Sequence, residues 1–201
     1  MSSDPQRLDR LKSLLPSLLK LFSEQQSNTA TQTGAANATG AAMDAATDEI
    51  YLVDVQIRGT AGTEVVEIFV DTDKGISLDW CHRLSRWLSE WMDASAEVEQ
   101  MFTGEFRLEV SSPGVARPLM LSRQYPKNIG RRLKVKFKDA EGNYQTVEGK
   151  LVAAEPAHIH LAVTATTKDK SAAKSRGKMA AAEMIDIALD QVVEAKVQLQ
   201  W

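Results

Sequence analysis

The run Arg107-Leu108-Glu109-Val110-Ser111-Ser112-Pro113-Gly114-Val115-Ala116-Arg117-Pro118-Leu119 limits what this chain can fold into. Leu108 and Val110 alternate with Arg107 and Glu109, the period of two that buries one face of a strand. That strand then has to stop. Pro113 has no ladder donor, Gly114 admits positive φ, and Ser111 and Ser112 favour bonds to nearby backbone over continuation of a sheet. Pro118 stiffens the exit beside the cation Arg117. A strand that runs into a rigid corner divides the chain in two.

Charge divides at the same place. Residues 1–116 hold 9 Lys/Arg against 18 Asp/Glu, a balance of −9, and residues 117–201 hold 15 against 9, a balance of +6. An acidic part joined to a basic part predicts two domains with different electrostatic tasks.

Before the corner, Leu8, Leu11, Leu15, Leu18 and Phe22 recur at helical spacing, so residues 1–22 form an amphipathic helix that Pro16 kinks or splits. Residues 23–48 are mostly Ala, Thr, Asn, Gln, Ser and Gly; this composition predicts a disordered linker. Order resumes with an α+β domain over residues 49–116. Tyr51, Val53, Val55 and Ile57 make one strand, Gly59–Thr63 a hairpin loop, and Val66, Ile68 and Val70 the partner strand. Ser77 caps a helix of about residues 78–92, with Asp79 in its first turn and Trp80, Leu84, Trp87, Leu88 and Trp91 as a broad apolar stripe. The stretch Phe106–Val110 adds a third strand. The expected architecture is a three-stranded sheet layered with two helices.

After the corner, residues 117–201 read as all β. Leu133, Val135 and Phe137 alternate with Lys134, Lys136 and Lys138, so one strand has an oily face and a cationic face. Further strands run over Tyr144–Val152, Ile159–Val163, Met184–Ile187 and Val193–Leu199. Five short strands suit a small, partly open SH3-like or Sm-like barrel. A basic, Lys/Ala/Ser-rich loop separates two of them, at residues 164–181.

Little in this inventory does chemistry. Cys81, the only cysteine, neighbours a packed helix stripe and reads as a buried structural thiol. His158 and His160 share a strand face, but no further ligand stands at zinc spacing. Ser111 and Ser112 lack a Gly-x-Ser-x-Gly context, and Asp71 and Asp73 lack the rest of a calcium loop. The reading is a binding protein, not an enzyme, with no cofactor and no metal. The candidate contacts for RNA phosphates are a basic edge, Arg131, Arg132, Lys134, Lys136 and Lys138, and a basic loop, Lys168, Lys170, Lys174, Arg176 and Lys178. The plain alternative for both is a solvated surface. No apolar run is long enough to span a bilayer, and the start is not a secretory signal. With a single cysteine, this places the chain in the cytoplasm.

Several stretches carry a resemblance: Tyr51-Leu52-Val53-Asp54-Val55, Gly75-Ile76-Ser77-Leu78-Asp79-Trp80-Cys81, Ile129-Gly130-Arg131, Ala195-Lys196-Val197 and, above all, Leu108-Glu109-Val110-Ser111-Ser112-Pro113-Gly114 with Arg117-Pro118-Leu119. In these the chain resembles the bacterial ribosome maturation factor RimP family. The resemblance implies an α+β domain followed by an Sm-like or SH3-like barrel. It also implies a non-catalytic factor that matures the small (30S) ribosomal subunit, with ribosomal protein twelve of that subunit and ribosomal RNA as partners, acting as a monomer. The acidic balance of residues 1–116 suits a basic protein partner, and the basic remainder suits RNA. The competing reading is a general RNA-binding regulator built on the barrel. The corner of Ser111, Ser112, Pro113, Gly114, Arg117 and Pro118 is the candidate junction between the two domains.

Overall fold

The computed structural model describes residues 5–32, 49–60, 62–102, 104–163 and 183–199, with the side chains of 27–32 excepted. The chain splits into two compact units, Met1–Pro113 and Gly114–Trp201.

The first unit opens with α1, Pro5–Gln32, a helix of 28 residues with Pro16 inside it. It does not divide at Pro16, and it continues over residues 23–32, which composition alone assigned to a disordered linker. Gln, Ala, Ser and Asn extend a helix cheaply once its apolar turns have nucleated it, and no glycine or proline interrupts before Gly34. The rest of that expected linker, residues 33–48, lies outside the described residues. Strands β1, Tyr51–Arg58, and β2, Glu64–Asp71, form an antiparallel hairpin. Helix α2, Leu78–Asp93, and the short helix α3, Ala96–Met101, then carry the chain across to β3, Phe106–Ser111, which pairs parallel to β2. A parallel partner needs such a crossover, and the resulting sheet order is β1-β2-β3.

Leu11, Leu15, Leu18, Leu19 and Phe22 of α1 share one core with Val55, Ile57, Val66, Ile68 and Val70 of the sheet and with Cys81, Leu84, Leu88 and Met92 of α2. The buried spacing on α2 is therefore 81, 84, 88 and 92. Of the expected stripe, Trp80, Trp87 and Trp91 are partly buried and pack against the core margin. Trp80 and Trp87 both lean on Phe22, with ring centroids 6.0 and 5.5 Å away. Ser77 caps α2 by accepting from the Trp80 N–H, and Asp79 pairs with Arg83 one turn on.

In the second unit, two single-turn 3-10 helices, Ser122–Gln124 and Pro126–Asn128, lead into β4, Arg132–Lys138. Then come β5, Tyr144–Ala154, β6, His158–Val163, β7, Glu183–Ala188, and β8, Val192–Val197. Every neighbouring pair is antiparallel, in the order β7-β6-β5-β4-β8. The end strands β7 and β8 are linked by a 3-10 turn, Leu189–Gln191. The described strands thus form a five-stranded antiparallel sheet that is not closed into a barrel. Its core is Tyr125, Leu133, Val135, Leu151, Ile159, Leu161, Ile187 and Ala195. At Gly149, β6 comes so near that an added Cβ would lie 2.9 Å from the Ala162 carbonyl oxygen, so only glycine fits.

Candidate nucleic-acid interface

Alternation along β4 buries Leu133 and Val135 and turns Lys134, Lys136 and Lys138 outward. Cross-strand register decides what surrounds them. On β5, Lys150 lies opposite Arg132, Glu148 opposite Lys134, Thr146 opposite Lys136 and Tyr144 opposite Lys138. On β8, Lys196 lies opposite Lys134, and Glu194 opposite Lys136. Residues directly opposite share a face, so Arg132, Lys134, Lys136, Lys138, Lys150 and Lys196 meet Glu148 and Glu194 on one surface.

That surface is less purely cationic than β4 alone implies. Lys134 Nζ lies 3.2 Å from Glu148 Oε1, and Lys196 Nζ 2.6 Å from Glu194 Oε1. These exposed pairs add little stability, yet they partly neutralise the row. The remaining field is positive. The Glu194 carboxyl is held below the usual carboxylate range by its hydrogen bond from Lys196, then by the charge of Lys196, with smaller contributions from Lys136 and Lys134. Lys136 and Lys138 place their ammoniums 4.8 and 5.6 Å from the centroid of the Tyr144 ring.

Of the other expected contacts, only Arg131 lies among the described residues. Arg131 is exposed, but its guanidinium donates to Asn128 Oδ1 at 3.3 Å, at the entry to β4. Lys168, Lys170, Lys174, Arg176 and Lys178 lie outside the described residues. Reading β4 by itself missed Tyr144, Lys150, Lys196 and the two glutamates. The turn Glu141-Gly142-Asn143 was the available signal for Tyr144, because it makes β4 and β5 a hairpin whose first pair flanks the turn. Beside the row, Leu119, Met120, Tyr125, Lys136, Val192 and Val193 help line a cleft of about 540 Å³. Burial pushes the Tyr125 hydroxyl up to about 12.

At the corner, β3 ends at Ser111 and Gly114 takes φ +62°, the left-handed conformation that favours glycine. Ser111 and Ser112 are exposed, while Pro113, Arg117 and Pro118 are half-buried. The Ser112 backbone approaches the Cys81 thiol. Desolvation raises the pKa of that thiol, and the Ser112 contact lowers it by less. A buried thiol of this kind is a weak nucleophile at neutral pH.

His158 Nδ1 lies 3.0 Å from Asp186 Oδ1 across β6 and β7, and His160 Nε2 lies 3.7 Å from Glu155 Oε1. Among the described residues no group of three or more His, Cys, Asp and Glu has metal-binding geometry. No helix of the described residues is long and apolar enough to cross a membrane.

Fold and surface together define a two-unit protein, α+β then antiparallel β, whose second sheet presents a net cationic face. Residues 44–116 match the family model described as the RimP N-terminal domain. A protein of Chlorobium phaeobacteroides named ribosome maturation factor RimP is 32% identical over 149 residues, covering 73% of this chain and 83% of the relative. Relatives of the same name in Prosthecochloris aestuarii and Chlorobium limicola are 29% and 33% identical, with 85% and 82% of their lengths covered. The chain belongs to the RimP family.

Proposed function

We propose that this protein is a ribosome maturation factor that acts on the small (30S) subunit and binds the free pre-subunit. The name shared by relatives aligned over more than four-fifths of their length supports the maturation role. The observation that carries the mode of action is the split of charge between the units, an acidic first part and a second part with the cationic β4 face. In this reading the acidic unit receives a basic protein, ribosomal protein twelve of the small subunit. Arg132, Lys134, Lys136 and Lys138 contact ribosomal RNA phosphates, with Arg131 at their margin and the cations Lys168, Lys170, Lys174, Arg176 and Lys178 as a second contact.

The protein then works without a cofactor and without catalysis, as a monomer in the cytoplasm. It holds protein and RNA in an assembly-competent arrangement and leaves. We assign the five strands to a partly open barrel of SH3-like or Sm-like type, and the corner of Ser111, Ser112, Pro113, Gly114, Arg117 and Pro118 to the junction of domains 49–116 and 117–201.

Sucrose-gradient profiles of a strain lacking the gene test the role. Free small subunits with unprocessed ribosomal RNA are expected to accumulate. Normal profiles and normal processing, also at the extremes of growth temperature, contradict it.

A further inference from the structure

Tyr144 is 60% exposed at the first position of β5, beside the hairpin turn. A single exposed tyrosine is ordinary, but its setting here is not. Lys136 and Lys138 both bring their ammoniums within 6 Å of the ring centroid. The backbone that carries the ring is braced on both sides by one carboxylate. Asp139 accepts from the Asn143 N–H at 2.8 Å and from Gln145 Nε2 at 3.0 Å, and its pKa is lowered by the Gln145 and Asn143 bonds. The turn that carries the ring is therefore held in place before a ligand arrives, which lowers the ordering a ligand has to impose.

We propose that Tyr144 is the base-stacking platform of the second unit, on which one unpaired base of a single-stranded RNA segment lies while Lys136 and Lys138 hold the adjoining phosphates. The proposal rests on the RNA reading of the β4 face and names the form of RNA that face takes. An aromatic ring among cations is how proteins hold single strands without reading sequence. A duplex offers no base for the ring, because its bases are already stacked on one another. The row from Arg132 to Lys138 spans about 20 Å at the rise of a strand, enough for a few extended nucleotides. Glu148 and Glu194 lie towards the middle of the row, whereas Tyr144 stands opposite Lys138 at the end.

The test uses the full chain and a short unstructured oligoribonucleotide carrying one 2-aminopurine, with Tyr144→Thr, Tyr144→Phe and the triple variant Lys134→Glu/Lys136→Glu/Lys138→Glu. Threonine keeps strand propensity at an exposed site. Expected results are an affinity about tenfold lower for Tyr144→Thr, near-native affinity for Tyr144→Phe, loss of binding in the triple variant, and, among the complexes that form, absence of 2-aminopurine quenching only in Tyr144→Thr. The salt dependence of binding stays native in Tyr144→Thr, since no phosphate contact is removed. Native affinity and quenching in Tyr144→Thr, with binding lost in the triple variant, overturn the stacking role and leave the RNA face standing. Native binding in the triple variant overturns the RNA face and the stacking role together.

Discussion

The two units solve the problem of charge in opposite ways. In the first, a charged pair between helix and sheet braces the fold. Arg7 reaches from α1 to Glu64 at the start of β2, at 2.8 Å, and also lies 4.6 Å from the centroid of the Phe102 ring. Both partners are largely withdrawn from water, so the pair ties helix to sheet. In the second unit the charges of β4 stand on an open face, and their partners are neighbours on the same face. The first unit has the larger core, with two long helices sharing it with the sheet, and the second packs a smaller core beneath a cationic surface. Charge that braces structure is screened much less by salt, whereas charge held on an open sheet is available to a polyanion and is screened by salt.

Core truncation should break the comparison most sharply. Leu84→Ala, at a fully buried site on α2, is expected to cost about 3 kcal/mol in the first unit. Leu133→Ala should cost about as much in the second. Denaturant titration gives the sizes, and oligoribonucleotide binding near the unfolding midpoint tells the units apart. RNA affinity should persist as the first unit of Leu84→Ala loosens and should vanish with the second unit of Leu133→Ala. Equal losses in both variants would place RNA binding outside the β4 face.

A smaller effect sharpens the picture of the second core. The Tyr125 hydroxyl titrates at about 12 in the fold, against about 10 for a free tyrosine. The folded pKa is the higher one, so the stabilisation is complete below pH 10 and is lost as pH rises through about 12. Wild type should therefore lose up to about 2 kcal/mol across that window relative to Tyr125→Phe, read as the difference between two alkaline denaturation curves. Parallel curves would mean that water reaches the hydroxyl.

Much of this fold is legible locally. The alternation of Leu133, Val135 and Phe137 defines β4, Ser77 marks the start of α2, and the Ser-Ser-Pro-Gly run places the end of β3 at Ser111. What escaped depends on distance or on cooperativity. Helix α3 has only six residues behind its Ser95 cap, too few for a period to emerge. The tail of α1 is polar in composition and helical because it continues an established helix. The candidate surface was half legible: β4 revealed its lysines, but Glu148, Glu194 and Tyr144 join them only through register with β5 and β8. The tryptophans of α2 show the limit of a hydrophobic stripe, because the narrow buried line is Cys81, Leu84, Leu88 and Met92, and the larger rings sit at its edge.

The most direct measurement is cosedimentation of the purified protein with free small subunits, free large subunits and whole ribosomes over a range of salt. The account predicts selective retention on free small subunits, weakening as salt rises. It also predicts about a tenfold loss or more for Lys134→Glu/Lys136→Glu/Lys138→Glu with its fold intact. Equal retention on large subunits, or undiminished binding by that variant, would contradict it.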